Sequence, residues 1–577
     1  MNPHENANMT VTTESSVAQP ALAAGSTHRH DVVIMGGGLA GLTLALQLKR
    51  QFEGIDVLVL ERRSHPVPHA THKVGESSVE IGAHYFDTVL GLKPHLQGEQ
   101  LRKFGFRFFF SEGRRDIDRV TEVGASRYLS VPSYQIDRGI FENYLGEEAA
   151  RRGVRFIDHA MARDIELAED AHTPHRLSWT QDGERQHIET RWLVDACGRA
   201  GIIKRKLGLA EPNAHDVNAV WFRIGNRITL DDWSDDPEWQ ARCDPRARWQ
   251  STNHLVGAGY WVWLIPLASG SHSVGIVADP KFHPLDTIDT FDKAMDWLEK
   301  YQPRLFDALD GQRDKLQDFA FFRKFSYGCK QVFSGQRWAL TGEAGLFLDP
   351  FYSPGSDFIA IGNTYICDLI AHDRAGHSVE ARAQLYDQIY HSFYESTLAL
   401  YQDQYALFGD PEVLPVKVIW DYTYYWGVLS QIFFHDRLTD LALLGGLKEE
   451  LQHCQQLNVA VQDFLRAWSG VSEKRNRPVM LDQAALPWFA ELNSSLNDKL
   501  DDTAFTARLR ASVAQLRQLA SEILARARSA HPGLEGGALE ALLATAMPPV
   551  PEGQVDPAIE AARVPMLFAS LETAEVA

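Results

Sequence analysis

The sequence predicts an α/β protein with a nucleotide-binding domain built on a parallel sheet, an inserted aromatic sheet and a helical C-terminal region. A buried strand followed by an apolar helix begins near residue 32, and short aromatic strands recur between residues 211 and 334. Helical spacing of apolar residues dominates beyond residue 380. The predicted parts are a disordered tail over 1–28, a first domain over 29–210 with 335–380, a sheet domain over 211–334, and helices over 381–577.

Composition and charge argue against several classes of protein. The 577 residues are 45% hydrophobic and 23% charged, and no run of about 18 apolar residues could span a membrane. The formal net charge of −19 argues against nucleic acid or an anionic membrane as the main partner. Five scattered cysteines form no CxxC pair, and the start of the chain lacks the apolar segment of a secretory signal. We therefore expect a cytoplasmic protein.

The segment DVVIMGGGLAGLTLALQL carries a dinucleotide-binding fingerprint. Gly36, Gly38 and Gly41 fall between strand and helix, where they allow a tight turn, close approach of a pyrophosphate and close helix packing. A second strand, IDVLVLER, ends at Glu61, 20 residues beyond Gly41. A carboxylate at that place is expected to accept hydrogen bonds from a ribose. The sequence therefore predicts a nucleotide site at the front of the chain.

Three distant segments favour FAD over a nicotinamide nucleotide. QIDRGIFENYL, WLVDACGR and WALTGEAGLFLDPFYSPGSDFIAIGN follow in that order, and together they resemble the pattern of FAD-dependent hydroxylases and their relatives. The resemblance places Asp349, of the Asp-Pro pair, near the ribityl chain and the following glycine-rich helix start near the isoalloxazine ring. Gly342-Glu343 departs from the usual Gly-Asp. We found no second GxGxxG, so electrons are expected from a separate flavin reductase.

Three further stretches resemble the flavin-dependent halogenases. The run WVWLIP, from Trp261 to Pro266, matches the WxWxIP pattern of that family at all four specified positions. KVGESS, residues 73–78, resembles the family's Val-Gly-Glu-Ser/Ala segment, and Lys103 follows Glu76 by 27 residues, near the location of its essential lysine. The resemblance extends from about residue 30 to residue 380. It implies an FAD-binding Rossmann-like domain with an inserted substrate-side β-sheet.

The resemblance also implies a two-component reaction. Reduced FAD from the reductase would react with oxygen to give a flavin hydroperoxide, whose distal oxygen is attacked by chloride or bromide. The resulting hypohalous acid would travel to Lys103, which presents an electrophilic halogen to an aromatic ring. A lysine suits this role because its ammonium can polarise the oxidant and desolvation lowers its pKa. A solvated lysine at a strand start is the plainer alternative.

The segment YSPGSD, which begins at Tyr352, lies where the family binds halide and flavin. Pro354 has no N–H, so the halide donors would be the amides of Gly355 and Ser356. Tyr352 stands where tryptophan halogenases carry a glutamate, and this departure resembles the phenol-directed branch, which implies a phenolic substrate. The role of Asp357 stays open between solvent, the helix start and the halide region.

The resemblance assigns the remaining site residues. Trp261 and Trp263, on one face of a predicted strand, would form a barrier between flavin and substrate, although ordinary core packing is the alternative. His254, His272 and His283 have no metal-ligand spacing, so no metal is expected. The expected FAD contacts are Gly36, Gly38, Ala40, Gly41, Glu61, Arg62, Ser77, Arg138, Asp349 and Gly355.

Two other functions stay open. One is a flavin-dependent aromatic hydroxylase or monooxygenase of the same fold that uses no halide. The other is a carrier or interaction protein with a vestigial nucleotide fold. Free or carrier-bound substrate, chloride or bromide, and the oligomeric state are not decided by the sequence.

Beyond residue 380 the sequence predicts aromatic helices. Tyrosines and a phenylalanine at spacings of three, four and seven, from Tyr386 to Tyr405, mark one helix face that is either core or substrate contact. A second aromatic helix, WDYTYYWGVLSQIFF, is predicted to cap the substrate cavity. An amphipathic helix with apolar residues from Phe505 to Ile523 is expected to pack on this chain.

Overall fold

The computed structural model describes residues 28–69, 73–170 and 172–545. The predicted tail over residues 1–28 lies outside these ranges except for His28, where the first strand begins. The strands are β1 His28–Met35, β2 Val57–Leu60, β3 Leu101–Arg102, β4 Phe106–Phe109, β5 Glu122–Gly124, β6 Tyr134–Gln135, β7 Arg155–Ile157, β8 Met161–Glu166, β9 His175–Gln181, β10 Glu184–Asp195, β11 Ala210–Glu211, β12 Asn218–Ile224, β13 Thr252–Gly257, β14 Tyr260–Pro266, β15 His272–Ala278, β16 Leu316–Phe322, β17 Gly328–Cys329, β18 Trp338–Leu340 and β19 Met480–Asp482.

The helices surround these strands and fill the C-terminal region. They are α1 Leu39–Gln51, α2 Glu80–His84, α3 Lys93–Glu99, α4 Arg138–Arg151, α5 Ile202–Lys206, α6 Pro237–Ala241, α7 Phe291–Tyr301, α8 Pro303–Asp310, α9 Gly355–Arg374, α10 Glu380–Leu398, α11 Leu414–Tyr424, α12 Gln431–Phe434, α13 Leu441–Gly446, α14 Lys448–Ser469, α15 Pro487–Ser494, α16 Asp502–Ala530 and α17 Gly537–Ala544. π-Helical turns over Tyr85–Val89 and Tyr425–Ser430 continue α2 and α11.

The first sheet is the parallel sheet that the fingerprint predicts. Its order is β7-β2-β1-β10-β9-β8, with β18 also paired to β10. The pairs β7–β2, β2–β1, β1–β10 and β10–β18 are parallel, whereas β9 and β8 add an antiparallel edge. β2 and the last four residues of β1 are completely buried, as expected of a strand covered on both faces. The glycine turn after β1 therefore opens at the carboxyl edge of this sheet.

The second sheet has eight strands, in the order β16-β12-β15-β14-β13-β4-β5-β19. It differs from the predicted sheet domain over 211–334, because β4 and β5 come from the first domain and β19 from the C-terminal region. β4 is entirely buried and pairs in parallel with β13, which satisfies its backbone groups and covers its phenylalanines. Lys103, just before β4, is thereby carried to the junction of the two sheets.

The two faces of the second sheet pack against different cores. Trp261 and Trp263 of β14 face the core shared with the first sheet, and Val262 and Leu264 face a smaller core with α7 and α8. The predicted placement of both indoles on one face is therefore confirmed. In the C-terminal region, the apolar stripe from Phe505 to Ile523 of α16 is buried, as predicted. Within the described ranges no helix is long and apolar enough to cross a membrane.

The tight packing of Trp263 on the neighbouring strand generates a stability prediction. A Cβ atom added at Gly275 of β15 would lie 2.2 Å from Cζ2 of the Trp263 indole. Gly275→Ala should therefore lower the free energy of unfolding by about 1–3 kcal/mol, the usual cost of overpacking. Gly445→Ala, at an exposed helical glycine with open space around it, is the control and should cost nothing. Urea unfolding of the two variants measures the difference, and equal midpoints would contradict the packing.

Candidate functional site

The glycine fingerprint forms the turn that the sequence predicts between β1 and α1. Gly36 has φ +112°, and a Cβ there would lie 2.3 Å from the carbonyl oxygen of Ala196. A Cβ at Gly41 would lie 2.0 Å from the carbonyl oxygen of Gly36, so α1 can approach β1 only with glycine at this position. Gly38 is the N-cap of α1, and no side chain caps this helix end. The first amides of α1 are thus placed to bind an anionic group.

Glu61 lies beside this turn, at the end of β2. Its carboxylate accepts hydrogen bonds from the backbone N–H of Gly37 and of Arg63, both at 2.7 Å. The carboxylate is partly exposed, which leaves lone pairs for a ribose. Arg62, by contrast, is exposed and does not line the neighbouring cleft.

A cleft opens in front of the turn; we call it the first cleft. The structure brings together in its wall seven of the predicted site residues: Ser77, Arg138, Trp261, Trp263, Asp349, Gly355 and Ser356. Leu39 of α1 also lines the first cleft. Ala40 packs behind the cleft wall, because a Cβ atom added at Gly342 would lie 3.0 Å from the Cβ atom of Ala40. A nucleotide-binding turn beside a largely apolar cleft fits FAD.

Two cations near the turn share one buried carboxylate. Glu142 of α4 accepts hydrogen bonds from Lys73 Nζ and from Arg138, whose guanidinium also donates to the carbonyl of Val74 at 2.8 Å. Lys73 Nζ lies 3.6 Å from the position that a Cβ of Gly38 would take. The predicted contacts omit Lys73, although it is the first residue of KVGESS. Its ammonium lies where a pyrophosphate would approach α1.

Asp349 lines the first cleft, but its carboxylate is engaged inside the protein. It accepts hydrogen bonds from the N–H of Phe351 at 2.9 Å, from the His215 ring at 2.7 Å and from the hydroxyl of Tyr405. The same Tyr405 hydroxyl accepts a hydrogen bond from the Trp261 indole at 3.0 Å. Asp349 therefore fixes the loop before α9 and, through Tyr405, the orientation of Trp261.

A second cleft adjoins the first and shares Pro354 and Phe358 with it. Aromatic rings and two acids dominate the second cleft; its residues include Phe106, Tyr352, Asp357, Tyr401, Asp421, Tyr422, Tyr424 and Tyr425. Four of these, Asp421, Tyr422, Tyr424 and Tyr425, come from WDYTYYWGVLSQIFF, which therefore lines the second cleft. Tyr401, from the predicted aromatic stripe, lines it too, whereas Tyr386, Tyr390 and Tyr394 are buried in the core.

Lys103 lies between the two clefts and is only 3% exposed. Its Nζ donates to Ser77 Oγ at 2.9 Å and to the carbonyl of Ser78 at 3.1 Å, and it lies 3.3 Å from the ring centroid of Phe106. Ser77 lines the first cleft and Phe106 the second. Burial lowers the pKa of Lys103 to about 7, against the opposing effect of Glu80 and Asp357. The alternative of a solvated lysine is therefore wrong.

Aromatic rings separate the clefts in successive layers. Trp261 and Trp263 line the first cleft, and behind Trp261 lie His254 and Phe351, at centroid distances of 5.0 and 5.2 Å. Behind these lie Phe106, 5.4 Å from His254, and Tyr352, 4.8 Å from Phe351; both face the second cleft. Burial lowers the pKa of His254 to about 3, so its ring is neutral. No group of three or more potential metal ligands occurs in the described ranges.

The start of α9 offers donors to the first cleft. Ser353, at φ +53°, reverses the chain before the helix, and a Cβ at Gly355 would meet open space. Ser356 Oγ is buried and lacks a hydrogen-bond partner among the described residues. An unpaired hydroxyl at a helix start is a suitable donor for a small anion.

Tyr352 ends a polar network that runs into the C-terminal helices. Its hydroxyl donates to Asp421 at 2.7 Å, and Asp421 also accepts from Lys417 and Gln462, each at 2.8 Å. Lys417 donates in turn to Gln462 Oε1 at 2.6 Å. The Asp421 carboxylate therefore accepts from three donors, one of which is a buried ammonium. Lys417 lies four residues before Asp421 on α11, whereas Tyr352 and Gln462 lie 69 and 41 residues from Asp421, and no local pattern pointed to these two.

Comparisons with known proteins agree with this geometry. The sequence model of the FAD binding domain family matches residues 29–253. The chain is 25% identical over 498 residues to the flavin-dependent halogenase chlA of Dictyostelium discoideum, covering 77% of this chain and 81% of that one. In fold it resembles halogenase PltM, solved with phloroglucinol and FAD, with TM-score 0.59, 18% identity and coverage of 86% and 96%. It also resembles the flavin-dependent halogenase CmlS, with TM-score 0.51, 21% identity and coverage of 76% and 73%. The predicted α/β fold and the predicted FAD are confirmed.

The position of Lys73 generates a binding prediction. Lys73→Ala should weaken FAD binding about tenfold or more, because a hydrogen bond to a charged group contributes about 1.5–3 kcal/mol. Lys73→Arg keeps the charge and should bind nearly normally, and Lys448→Ala, at an exposed lysine of α14, should have no effect. Titration of the apoprotein with FAD, followed by flavin fluorescence, measures the affinities. Equal affinity of Lys73→Ala and wild type would place the cofactor away from this ammonium.

Proposed function

We propose that this chain, which belongs to the flavin-dependent halogenase family and is an FAD-dependent enzyme, installs chloride or bromide on an electron-rich, phenolic ring. The observation that carries the proposal is the buried ammonium of Lys103, held by Ser77 of the first cleft and Phe106 of the second. A group that connects a flavin cleft to an aromatic cleft fits the transfer of an oxidant between them. The match to the FAD binding domain family and the similarity to a flavin-dependent halogenase favour an enzyme over a purely binding protein.

In this proposal the first cleft forms the oxidant and the second cleft binds the substrate ring. A separate flavin reductase would deliver reduced FAD to the first cleft. Together with oxygen and halide, the bound cofactor would supply hypohalous acid. The amides of Gly355 and Ser356 and the unpaired Ser356 hydroxyl would hold the halide there. Ser77 and Thr252, whose hydroxyls lie 2.9 Å apart, provide polar groups between the first cleft and Lys103. The aromatic layers keep the ring of the substrate from the flavin.

Lys103 would hold the oxidant against the second cleft. Its ammonium donates to the oxygen of hypohalous acid and so makes the halogen more electrophilic. A pKa of about 7 lets the ammonium give a proton to the departing oxygen, which leaves as water. The residues Phe106, Tyr352 and Tyr422 would surround the substrate ring.

Two observations support a phenolic substrate. Tyr352 occupies the glutamate position, and its hydroxyl and several others line the second cleft, which suits a ring with polar substituents. PltM, whose fold this chain shares, was solved with phloroglucinol, a phenol.

The cytoplasmic location remains a prediction from the cysteine pattern.

The role of Lys103 is tested by Lys103→Ala. The purified enzyme is given reduced FAD, oxygen, halide and a panel of phenols, and products are followed by mass spectrometry. We expect wild type to yield halogenated phenols and Lys103→Ala to lose at least about a hundredfold in rate, the size of effect usual for one proton-transferring group. FAD affinity, the control, should be unchanged. Hydroxylated products from wild type, with little effect of the variant, would instead support the hydroxylase alternative.

The barrier role of the two tryptophans gives a second expectation. Trp261→Leu or Trp263→Leu should open the wall of the first cleft, so that more oxygen is consumed per halogenated product or hydroxylated phenol is formed. Oxygen consumption and product yield measure this coupling, and thermal unfolding serves as the control for folding. A lower melting temperature with unchanged coupling would return both rings to ordinary core packing.

A further inference from the structure

Asp357 is a buried carboxyl group of the second cleft that the proposed mechanism does not yet use. Although it belongs to the first turn of α9, its side chain reaches across to other elements. Oδ1 accepts a hydrogen bond from the N–H of Gly82 in α2 at 2.8 Å, and Oδ2 accepts one from the hydroxyl of Tyr425 at 2.7 Å. Asp357 is therefore neither solvated nor a cap of its own helix. Two further lone-pair sites remain for a group in the cleft.

The surroundings of Asp357 contain one buried lysine, one buried acid and two tyrosine hydroxyls. Lys103 and the Asp357 carboxyl attract each other, and Glu80 of α2, itself buried and bonded to the Trp426 indole at 3.0 Å, competes for the same ammonium. The hydroxyls of Tyr425 and Tyr401 are the other titratable groups that face it. Burial raises the pKa of Asp357 to about 8. Its proton affinity thus approaches that of a phenol, with an ordinary pKa of about 10.

The other acid of the second cleft is already committed. Asp421 accepts hydrogen bonds from Tyr352, Lys417 and Gln462, and the Lys417 ammonium balances its charge. Among the residues that the structure describes, no cation forms a direct hydrogen bond with Asp357. Of the two, Asp357 has more acceptor capacity left, and it is the one that acts electrostatically on Lys103.

We propose that Asp357 takes the hydroxyl proton of a phenolic substrate while the ring attacks the halogen held at Lys103. The inference rests on the proposed function and deepens it: the substrate would be a phenol that is neutral in solution. Asp357 thereby supplies a carboxylate to the substrate site. It lies on α9, five residues beyond Tyr352, which stands where tryptophan halogenases carry a glutamate.

The step balances in atoms and electrons. The step starts from the ionised form of Asp357. The phenol O–H bond breaks and its proton moves to the Asp357 carboxylate. The electron pair of that bond becomes the second bond of a carbonyl group, and the ring forms the carbon–halogen bond. The oxygen–halogen bond breaks, and the departing oxygen takes a proton from the Lys103 ammonium to leave as water. The ring C–H proton then moves to the Lys103 amine, and Asp357 returns its proton to the oxygen. The ring is aromatic again, and both side chains regain their starting states.

The test compares Asp357→Asn with wild type on two phenols of similar size. One phenol is neutral at the assay pH, and the other carries electron-withdrawing substituents and is already ionised. Asparagine has the same shape and keeps the acceptor for Gly82, but it cannot take a proton. We expect a loss of about a hundredfold or more on the neutral phenol and a much smaller loss on the ionised one. FAD binding and hypohalous acid release, measured with a chemical trap, should be unchanged.

Tyr425→Phe is the second variant, because it removes one donor but leaves the carboxylate. It should keep the wild-type ratio of rates for the two phenols. A loss for Asp357→Asn that is equal on both phenols, or no loss on either, would overturn the role of Asp357 while leaving the halogenase intact. If wild type halogenates neither phenol, the proposed function itself fails, and this inference fails with it.

Discussion

The burial of the Lys103 ammonium is the constraint on which the arrangement of the site depends. A cation removed from water is costly unless hydrogen bonds and nearby charges replace its hydration. Here the replacements come from Ser77, Ser78 and the face of Phe106. The carboxyls of Glu80 and Asp357 add a favourable field. Segments that are far apart in the sequence must therefore pack together around the Nζ atom of Lys103.

The backbone around Lys103 is fixed in the same way. Its N–H donates to the carbonyl of Ser133 at 2.8 Å, and the N–H of Phe104 donates to Gln250 at 3.1 Å. Beyond it, β4 is anchored by Arg107, whose guanidinium pairs with the buried Glu122 and donates to the carbonyl of Ala125 at 2.6 Å. Lys103 is thus positioned by rigid elements, as a group that must reach two clefts requires.

Local sequence signals predicted the parts of the site that form locally. The glycines of the β1–α1 turn, Glu61 at the end of β2 and the two indoles of β14 follow from spacing and strand alternation, and all three features are present. The location of Lys103 was implied by resemblance alone. Its buried partners could not be read from the sequence, because they depend on how the sheets meet.

The rest of the site depends on contacts between distant segments. His215 and Tyr405, which hold Asp349, and Asp421, which receives the Tyr352 hydroxyl, lie 56 or more residues from their partners. The short strand β19 joins the second sheet from the C-terminal region for the same reason: its pairing with β5 has no sequence signature. Asp357 resembled an ordinary helix-start acid until Gly82 and Tyr425 were placed against it.

The central claim is that oxidant formation and ring halogenation occur in different clefts joined by Lys103. A double-mixing experiment tests it most directly. Enzyme with reduced FAD is mixed with oxygen and halide, and a phenol is added only after the absorbance of oxidised flavin has fully returned. The account predicts that halogenated phenol still forms, in an amount that approaches one per enzyme, because the oxidant has already reached Lys103. Product formation only when the phenol is present before flavin reoxidation would contradict the account.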